Sequence, residues 1–161
     1  MNARGIPLYA SKKMQQLITD TPQWRIMVEQ GVFVPREVSN NNKIEFGELT
    51  IEPILVPHRD ELSDMHAFVI STPENKLLYL PDHDTWEETL SMYNCQDIRQ
   101  WLKDLAIDIA LIDGTFWSED ELQSRNQQKV PHPPIKQTIE MLGYKQQGDP
   151  EIYFIHLNHT N

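Results

Sequence analysis

Metal-ligand side chains follow several apolar stretches of this sequence, each at the point where the stretch ends. The stretches are ILVPHRD, LLYLPDHD and YFIHLNHTN, which carry His58, then Asp82, His83 and Asp84, then His156 and His159. Neighbouring strands lie about 4.8 Å apart, so side chains at their ends converge at one sheet edge. Imidazole and carboxylate without a thiolate suit zinc, iron or manganese. The repeated pattern predicts a metal site, although a single histidine of this kind is more often a hydrogen-bonded structural residue.

Other residues that could do chemistry are isolated in the sequence. Asp113 in IDGT could hydrogen-bond a ligating histidine, but a turn that leads into a helix explains it equally well. His132 in VPHPPI lies in a proline-stiffened loop that could present an imidazole for proton transfer. As an isolated residue, it is more often structural. We interpret His66 as non-catalytic. Cys95 has no basic neighbour to stabilise a thiolate, which argues against a cysteine nucleophile.

The elements that must position these side chains alternate between short strands and short helices. Strands are predicted at 6–10, 32–38, 43–46, 49–56, 66–72, 76–82, 107–113 and 152–157. Helices are predicted at 11–20, 22–30 and 97–105, after Thr85, after Ser118, and at 135–143. Residues 73–75 read as a hairpin turn and 123–134 as a polar loop. Locally paired strands followed by strand–helix alternation predict an α/β, layered α+β, fold rather than a helical bundle.

Composition limits the class of protein and its partners. A chain of 161 residues forms one domain, 1–161, or part of one. The net charge of −10 disfavours nucleic acid or an anionic membrane as a partner and leaves a small-molecule substrate. One cysteine excludes an internal disulfide and fits a reducing compartment. With no signal-peptide core and no membrane-length apolar run, we expect a soluble, cytoplasmic protein.

Five motifs together resemble a known family. LVPHRDELSD, LLYLPDHDTW, ALIDGTFW, SRNQQKVPHPPI and FIHLNHTN occur in order over nearly the whole chain. They resemble the later half of metallo-β-lactamase-fold hydrolases, and most closely the branch similar to coenzyme PQQ synthesis protein B. The resemblance implies the C-terminal half of an αβ/βα sandwich and a divalent metal cofactor, with zinc favoured over iron or manganese.

The resemblance also implies a role for individual residues. His58 matches a ligand of a first metal, Asp82 a carboxylate that bridges two metals, and His156 a ligand of the second metal. His132 matches a catalytic histidine that assists the leaving group, so His132 and Asp82 are the candidate catalytic residues. Asp113 and Asn158 are expected in supporting positions.

The principal metal motif of the family, His-x-His-x-Asp-His, is not found in this sequence. The histidines occur at positions 58, 66, 83, 132, 156 and 159, and the opening MNARGIPLYA resembles the stretch that follows that motif. The family also usually continues beyond the last residue present here. We therefore expect a truncated form of the enzyme, with weak or no metal binding and weak or no activity alone.

Several functions stay open on the sequence alone. The first is a metal-dependent hydrolase of a phosphoester, ester or similar bond. A non-catalytic binding or assembly module that keeps part of the fold is the alternative, and an oxidoreductase with a single metal is a third. A role in PQQ synthesis is not expected, because DHD at 82–84 resembles the general hydrolase pattern. Apolar residues on both faces of IDIALID and IYFIHL predict a homo-oligomer.

Overall fold

The structure is a computed structural model that describes residues 3–40, 42–121 and 130–159. Its elements follow the predicted alternation closely. In chain order they are β1 (Ile6–Ala10), α1 (Lys12–Asp20), α2 (Pro22–Glu29), β2 (Phe33–Glu37), β3 (Ile44–Phe46), β4 (Leu49–Val56), β5 (Met65–Ser71), β6 (Lys76–Leu80), α3 (Trp86–Met92), α4 (Ile98–Asp104), β7 (Ile109–Asp113), α5 (Ile135–Leu142) and β8 (Glu151–Ile155). No helix in these ranges is long and apolar enough to cross a membrane.

The strands form a small sheet and a large one. Strands β1 and β2 pair in parallel, and the large sheet has the order β3-β4-β5-β6-β7-β8. Its pairs are antiparallel from β3 to β6 and parallel from β6 to β8. Parallel strands require a crossover, which α3 and α4 supply before β7 and α5 supplies before β8. The predicted α/β class is confirmed.

One face of the large sheet carries the core. Alternate residues of β4–β7 point to the same face of a sheet, and here they pack against α3 and α4. The strand side of this core is Ile54, Val56, Ala67, Val69, Leu78, Leu80, Ala110 and Ile112, and the helix side is Trp86, Leu90, Ile98, Trp101 and Leu102. These side chains are buried, so the ends of β6 and β7 are anchored on a packed platform.

The opposite face of the large sheet is apolar but only partly covered. We call it the open sheet face; it consists of Phe68, Ile70, Leu77, Tyr79, Ile109, Leu111 and Tyr153. Phe68, Tyr79, Leu111 and Tyr153 are in register across four strands. Tyr79 is 39% and Tyr153 54% exposed. Both faces of β7 are therefore apolar, as the sequence predicts, but only one is fully buried.

The small sheet contacts the beginning of the large sheet. The Tyr9 ring lies edge-on to Phe46 with a centroid separation of 5.6 Å. Ser11 accepts a hydrogen bond from the Met14 amide as the N-cap of α1, and its hydroxyl donates to Asp64. Burial by itself would raise the pKa of Asp64, but hydrogen bonds, chiefly the one from Ser11, and the nearby charge of His66 lower it. Ser11 therefore both starts α1 and joins it to the large sheet.

The prediction of a helix after Ser118 is wrong for the residues that the structure describes. Residues 117–120 form bends and turns, and the Glu121 carboxylate accepts a 2.6 Å hydrogen bond from the Trp117 amide. A capping box would require that carboxylate at the amide of the N-cap residue itself. The rest of the predicted helix, and residues 123–129 of the predicted polar loop, lie outside the described residues. By contrast, Thr85 is the N-cap of α3: its hydroxyl accepts from the Glu88 amide at 3.1 Å and donates to the Glu88 carboxylate at 2.8 Å.

Candidate metal centre

The predicted ligands lie at one edge of the large sheet. His58 comes two residues after β4, Asp82 two residues after β6, and His156 directly after β8. Strands β4, β6, β7 and β8 all run in the same direction, so their C-terminal ends meet at that edge. The loop before α5 brings His132 to the same place. We call His58, Asp82, His132 and His156 the histidine cluster.

Asp82 occupies the middle of the histidine cluster. Its Oδ2 lies 3.3 Å from His58 Nε2, and its Oδ1 lies 3.2 Å from His132 Nδ1. One potential ligand atom from each of Asp82, His132 and His156 lies within 4.8 Å of the others. The structure thus brings together the residues predicted as metal ligands, and it places the predicted catalytic histidine among them.

The donor set fits a divalent metal. Asp82 Oδ1 is buried, and no donor among the described residues makes a hydrogen bond to it. The nearby His132 Nδ1 is instead hydrogen-bonded to Asp113 at 2.8 Å. A buried carboxylate oxygen without a partner is costly, and a cation among imidazoles would satisfy it. Burial raises the pKa of Asp82, a change that the charges of His58 and His132 only partly oppose.

A buried carboxylate behind the cluster holds His132. Asp113 Oδ2 accepts from His132 Nδ1, and Asp113 Oδ1 accepts from the amide and hydroxyl of Thr115 at 2.8 and 2.7 Å. Burial alone would raise the pKa of Asp113, but these hydrogen bonds lower it. Burial alone would lower the pKa of His132, but the hydrogen bond and charge of Asp113, with the charge of Asp82, raise it. Asp113 therefore keeps His132 oriented and favours its protonated form.

A second carboxylate orients His58. Asp84 Oδ1 lies 3.0 Å from His58 Nδ1, which leaves His58 Nε2 facing Asp82. A ligating histidine is commonly held in this way through its other nitrogen. The Asp84 amide donates to Pro57 O at 2.8 Å and so ties the two loops together. Sequence reasoning assigned no orienting role to Asp84, although its place two residues after Asp82 was the available signal.

The remaining residues of the predicted motifs have supporting or separate positions. His83 is fully buried, its Nδ1 lies 2.9 Å from Thr89 Oγ1, and burial lowers its pKa to about 4. His159 is exposed, and its amide donates to Asn158 Oδ1 at 2.9 Å. The Asn158 amide in turn donates to Thr115 O at 3.2 Å. His83 thus packs in the core rather than joining the cluster.

The backbone at His156 has an uncommon conformation. Its φ is +59°, in the left-handed region that residues other than glycine rarely adopt. Such a conformation costs of order 1 kcal/mol and persists where the surroundings impose it. Here it turns the chain sharply at the end of β8, and the ring nitrogen Nδ1 lies 2.9 Å from Thr115 Oγ1.

A cavity opens beside the histidine cluster. Its volume is about 740 Å³, and His58 and Asp84 form part of its wall. Apolar side chains of Leu55, Met65 and Met92 line it, together with charged groups of both signs. This volume accommodates a small molecule.

The sequence matches the family described as beta-lactamase superfamily domain over residues 1–157. The chain belongs to this superfamily. No curated protein sequence matches it.

Solved structures share the fold at low sequence identity. Zn²⁺-bound PqqB from Methylobacterium extorquens has a TM-score of 0.63 and 17% identity, covering 96% of this chain and 55% of that chain. YhfI from Bacillus subtilis, a metallo-β-lactamase fold protein, has a TM-score of 0.59 and 13% identity, covering 95% and 52%. A diphosphatase from the PhnP family has a TM-score of 0.58 and 16% identity, covering 98% and 49%. The chain spans about half the length of these structures, and the likeness confirms the predicted fold.

Proposed function

We propose that the chain contributes the Asp82 side of the active centre of a metal-dependent hydrolase, which acts on a phosphoester, ester or similar bond of a small molecule. The observation that carries this proposal is the buried Asp82 Oδ1, which has no hydrogen-bond donor among the described residues and lies beside three imidazoles. Zinc is the favoured metal, and iron or manganese suits the same donors. The similarity to metal-binding and hydrolytic members of the fold supports the reaction class.

The residues divide the work between binding and proton transfer. His58, Asp82 and His156 would hold the metal. A metal bound there supplies Lewis-acid chemistry to the reacting group. Asp113 holds His132 through Nδ1 and raises its pKa, so His132 can donate a proton to the leaving group. Asp84 keeps His58 turned towards the site.

We further propose that this chain alone binds metal weakly and has little or no activity. The described residues offer His58, Asp82 and His156 as family ligands, and the sequence contains no His-x-His-x-Asp-His motif. A metal-bound nucleophile requires a full ligand set. The incomplete set also favours the alternative function, a non-catalytic binding or assembly module.

The experiment compares the wild-type chain with Asp82→Asn, using Glu74→Gln in an exposed hairpin turn as the matched control. Zinc affinity is measured by calorimetry, and hydrolysis of bis(p-nitrophenyl) phosphate is followed at saturating metal. We expect weak zinc binding and slow hydrolysis in the wild type and the control, and neither in Asp82→Asn. Equal zinc affinity in all three proteins would contradict the metal site. Zinc binding that depends on Asp82 without any metal-dependent hydrolysis would favour the module.

We also propose that the protein is cytoplasmic, because its single cysteine suits a reducing compartment.

We propose in addition that a second copy of the chain covers the open sheet face. Four strands about 4.8 Å apart and about five residues long present roughly 300 Å² in projection. Two such faces bury about 600 Å², which stabilises the dimer by about 15 kcal/mol before association costs of about 4–15 kcal/mol. The interface is smaller than the usual stable one of about 1,600 Å², so the association is weak.

A further inference from the structure

Thr115 contacts both the buried carboxylate and the last histidine of the cluster. Its Oγ1 lies 2.7 Å from Asp113 Oδ1 and 2.9 Å from His156 Nδ1. Its backbone amide donates to the same Asp113 oxygen at 2.8 Å. The hydroxyl therefore sits between an ionised carboxylate and an imidazole.

The direction of these hydrogen bonds follows from the chemistry of the groups. The Thr115 hydroxyl has two possible acceptors, the Asp113 carboxylate at 2.7 Å and the His156 carbonyl at 3.4 Å. An ionised carboxylate can only accept and is the closer of the two, so the hydroxyl donates to Asp113. A hydroxyl has one hydrogen, so at the 2.9 Å contact the same oxygen must accept from His156. His156 Nδ1 then carries the ring hydrogen, and the lone pair of a neutral ring lies on Nε2.

We propose that Thr115 is a positioning residue that fixes His156 in its Nδ1–H tautomer and leaves Nε2 as the metal-binding nitrogen. An unrestrained neutral imidazole in water favours the opposite, Nε2–H form. Asp113 thus acts on two histidines of the cluster, directly on His132 and through Thr115 on His156.

The backbone around Thr115 keeps this geometry fixed. The Gly114 amide donates to Ile155 O at 2.8 Å, and the Asn158 amide donates to Thr115 O at 3.2 Å. Both bonds join the segment after β7 to the residues on either side of His156. The left-handed φ of His156 lies between these two anchor points, so the local backbone holds the imidazole within reach of the hydroxyl.

The tautomer itself does not depend on the proposed function, whereas its consequence for metal affinity rests on the proposed metal site. The test uses long-range ¹H–¹⁵N NMR of the histidine rings in the metal-free, full-length chain, at a pH where the rings are neutral. We expect the Nδ1–H pattern for His156 in the wild type and in Thr115→Ser, and a shift to Nε2–H in Thr115→Val.

An Nε2–H pattern for His156 in the wild-type chain would overturn the proposal, as would a folded Thr115→Val variant that keeps Nδ1–H. The wild-type spectrum is decisive by itself, so a Thr115→Val variant that does not fold leaves the proposal testable. A zinc titration then measures the consequence: we expect affinity about 10- to 100-fold lower in Thr115→Val and near wild type in Thr115→Ser. The predicted tautomer without zinc binding by the wild type would contradict the metal site and leave the tautomer proposal standing.

Discussion

Replacing Gly114 by alanine tests whether the close approach of β7 to β8 positions His156. A Cβ at Gly114 would lie 2.9 Å from Phe154 Cβ, 3.0 Å from Ile155 O and 3.1 Å from Leu157 Cδ2. The φ of Gly114 is outside the left-handed region, so these contacts alone set the cost. Because one of the contacted atoms is a backbone oxygen, the end of β8 must shift. Overpacking of this kind costs about 1–3 kcal/mol, and we expect the free energy of unfolding to fall by about 2 kcal/mol.

Stability and zinc affinity are both measured on the Gly114→Ala variant. Urea denaturation gives the free energy of unfolding, and thermal melting should show a Tm lower by about 4–8 °C for a domain of this size. Zinc affinity, measured by NMR titration, should fall about 10-fold or more because Ile155 immediately precedes His156. Ile98→Val, in the core on α4, is the control: it removes about 0.5–1.5 kcal/mol of stability without altering zinc affinity. A Gly114→Ala variant with wild-type stability and wild-type zinc affinity would show that the close approach of β7 to β8 does not position His156.

Three further predictions concern the core, acid stability and assembly. The buried Trp86 Nε1–H donates to Thr138 Oγ1 at 2.8 Å, and Thr138→Val leaves it without that acceptor. Urea denaturation should show a free energy of unfolding lower by about 1–3 kcal/mol, a loss that Thr138→Ser largely avoids. Equal stability of the wild type and both variants would contradict this prediction. Burial lowers the pKa of His83 in the folded state to about 4, so between pH 6.5 and pH 4 the unfolded state binds a proton that the folded state does not. The free energy of unfolding of the metal-free protein should therefore fall by up to about 3 kcal/mol as the pH drops through that window. His83→Gln should lack that component, and an unchanged pH dependence would contradict the assignment. Light scattering over a range from micromolar to millimolar protein should show dimers that form as the concentration rises. Tyr79→Lys, on the open sheet face, should stay monomeric, and a wild-type chain that is monomeric throughout the range would contradict the association.

The elements were predictable because local signals and the tertiary structure agree. Ser11 and Thr85 cap helices as their sequence context predicts, and Pro22 begins α2. The apolar run of β7 became a central parallel strand. Convergence of His58, Asp82 and His156 was also predictable, because parallel strands end at one edge of a sheet.

The positions that sequence reasoning missed depend on contacts between distant segments. His83 has the same sequence surroundings as Asp82, yet its ring packs against Trp86 at 4.5 Å and leaves the cluster. Thr115 lies in the ALIDGTFW motif but was assigned no role, because its contacts arise only when Asp113 and His156 are brought together. After Ser118 the described residues form bends and turns instead of a helix, and the Glu121 carboxylate accepts from the Trp117 amide.

Binding of a divalent metal by the histidine cluster can be observed through the paramagnetic broadening that Mn²⁺ causes. Mn²⁺ suits imidazole and carboxylate donors and reports even weak binding. As Mn²⁺ is added, the ring signals of His58, His132 and His156 should broaden well before the indole signal of Trp24 on α2, and Asp82→Asn should abolish the selectivity. Broadening centred instead on exposed acidic residues at the opposite end of β4, Glu45 and Glu48, with the cluster unaffected, would contradict metal binding at the cluster.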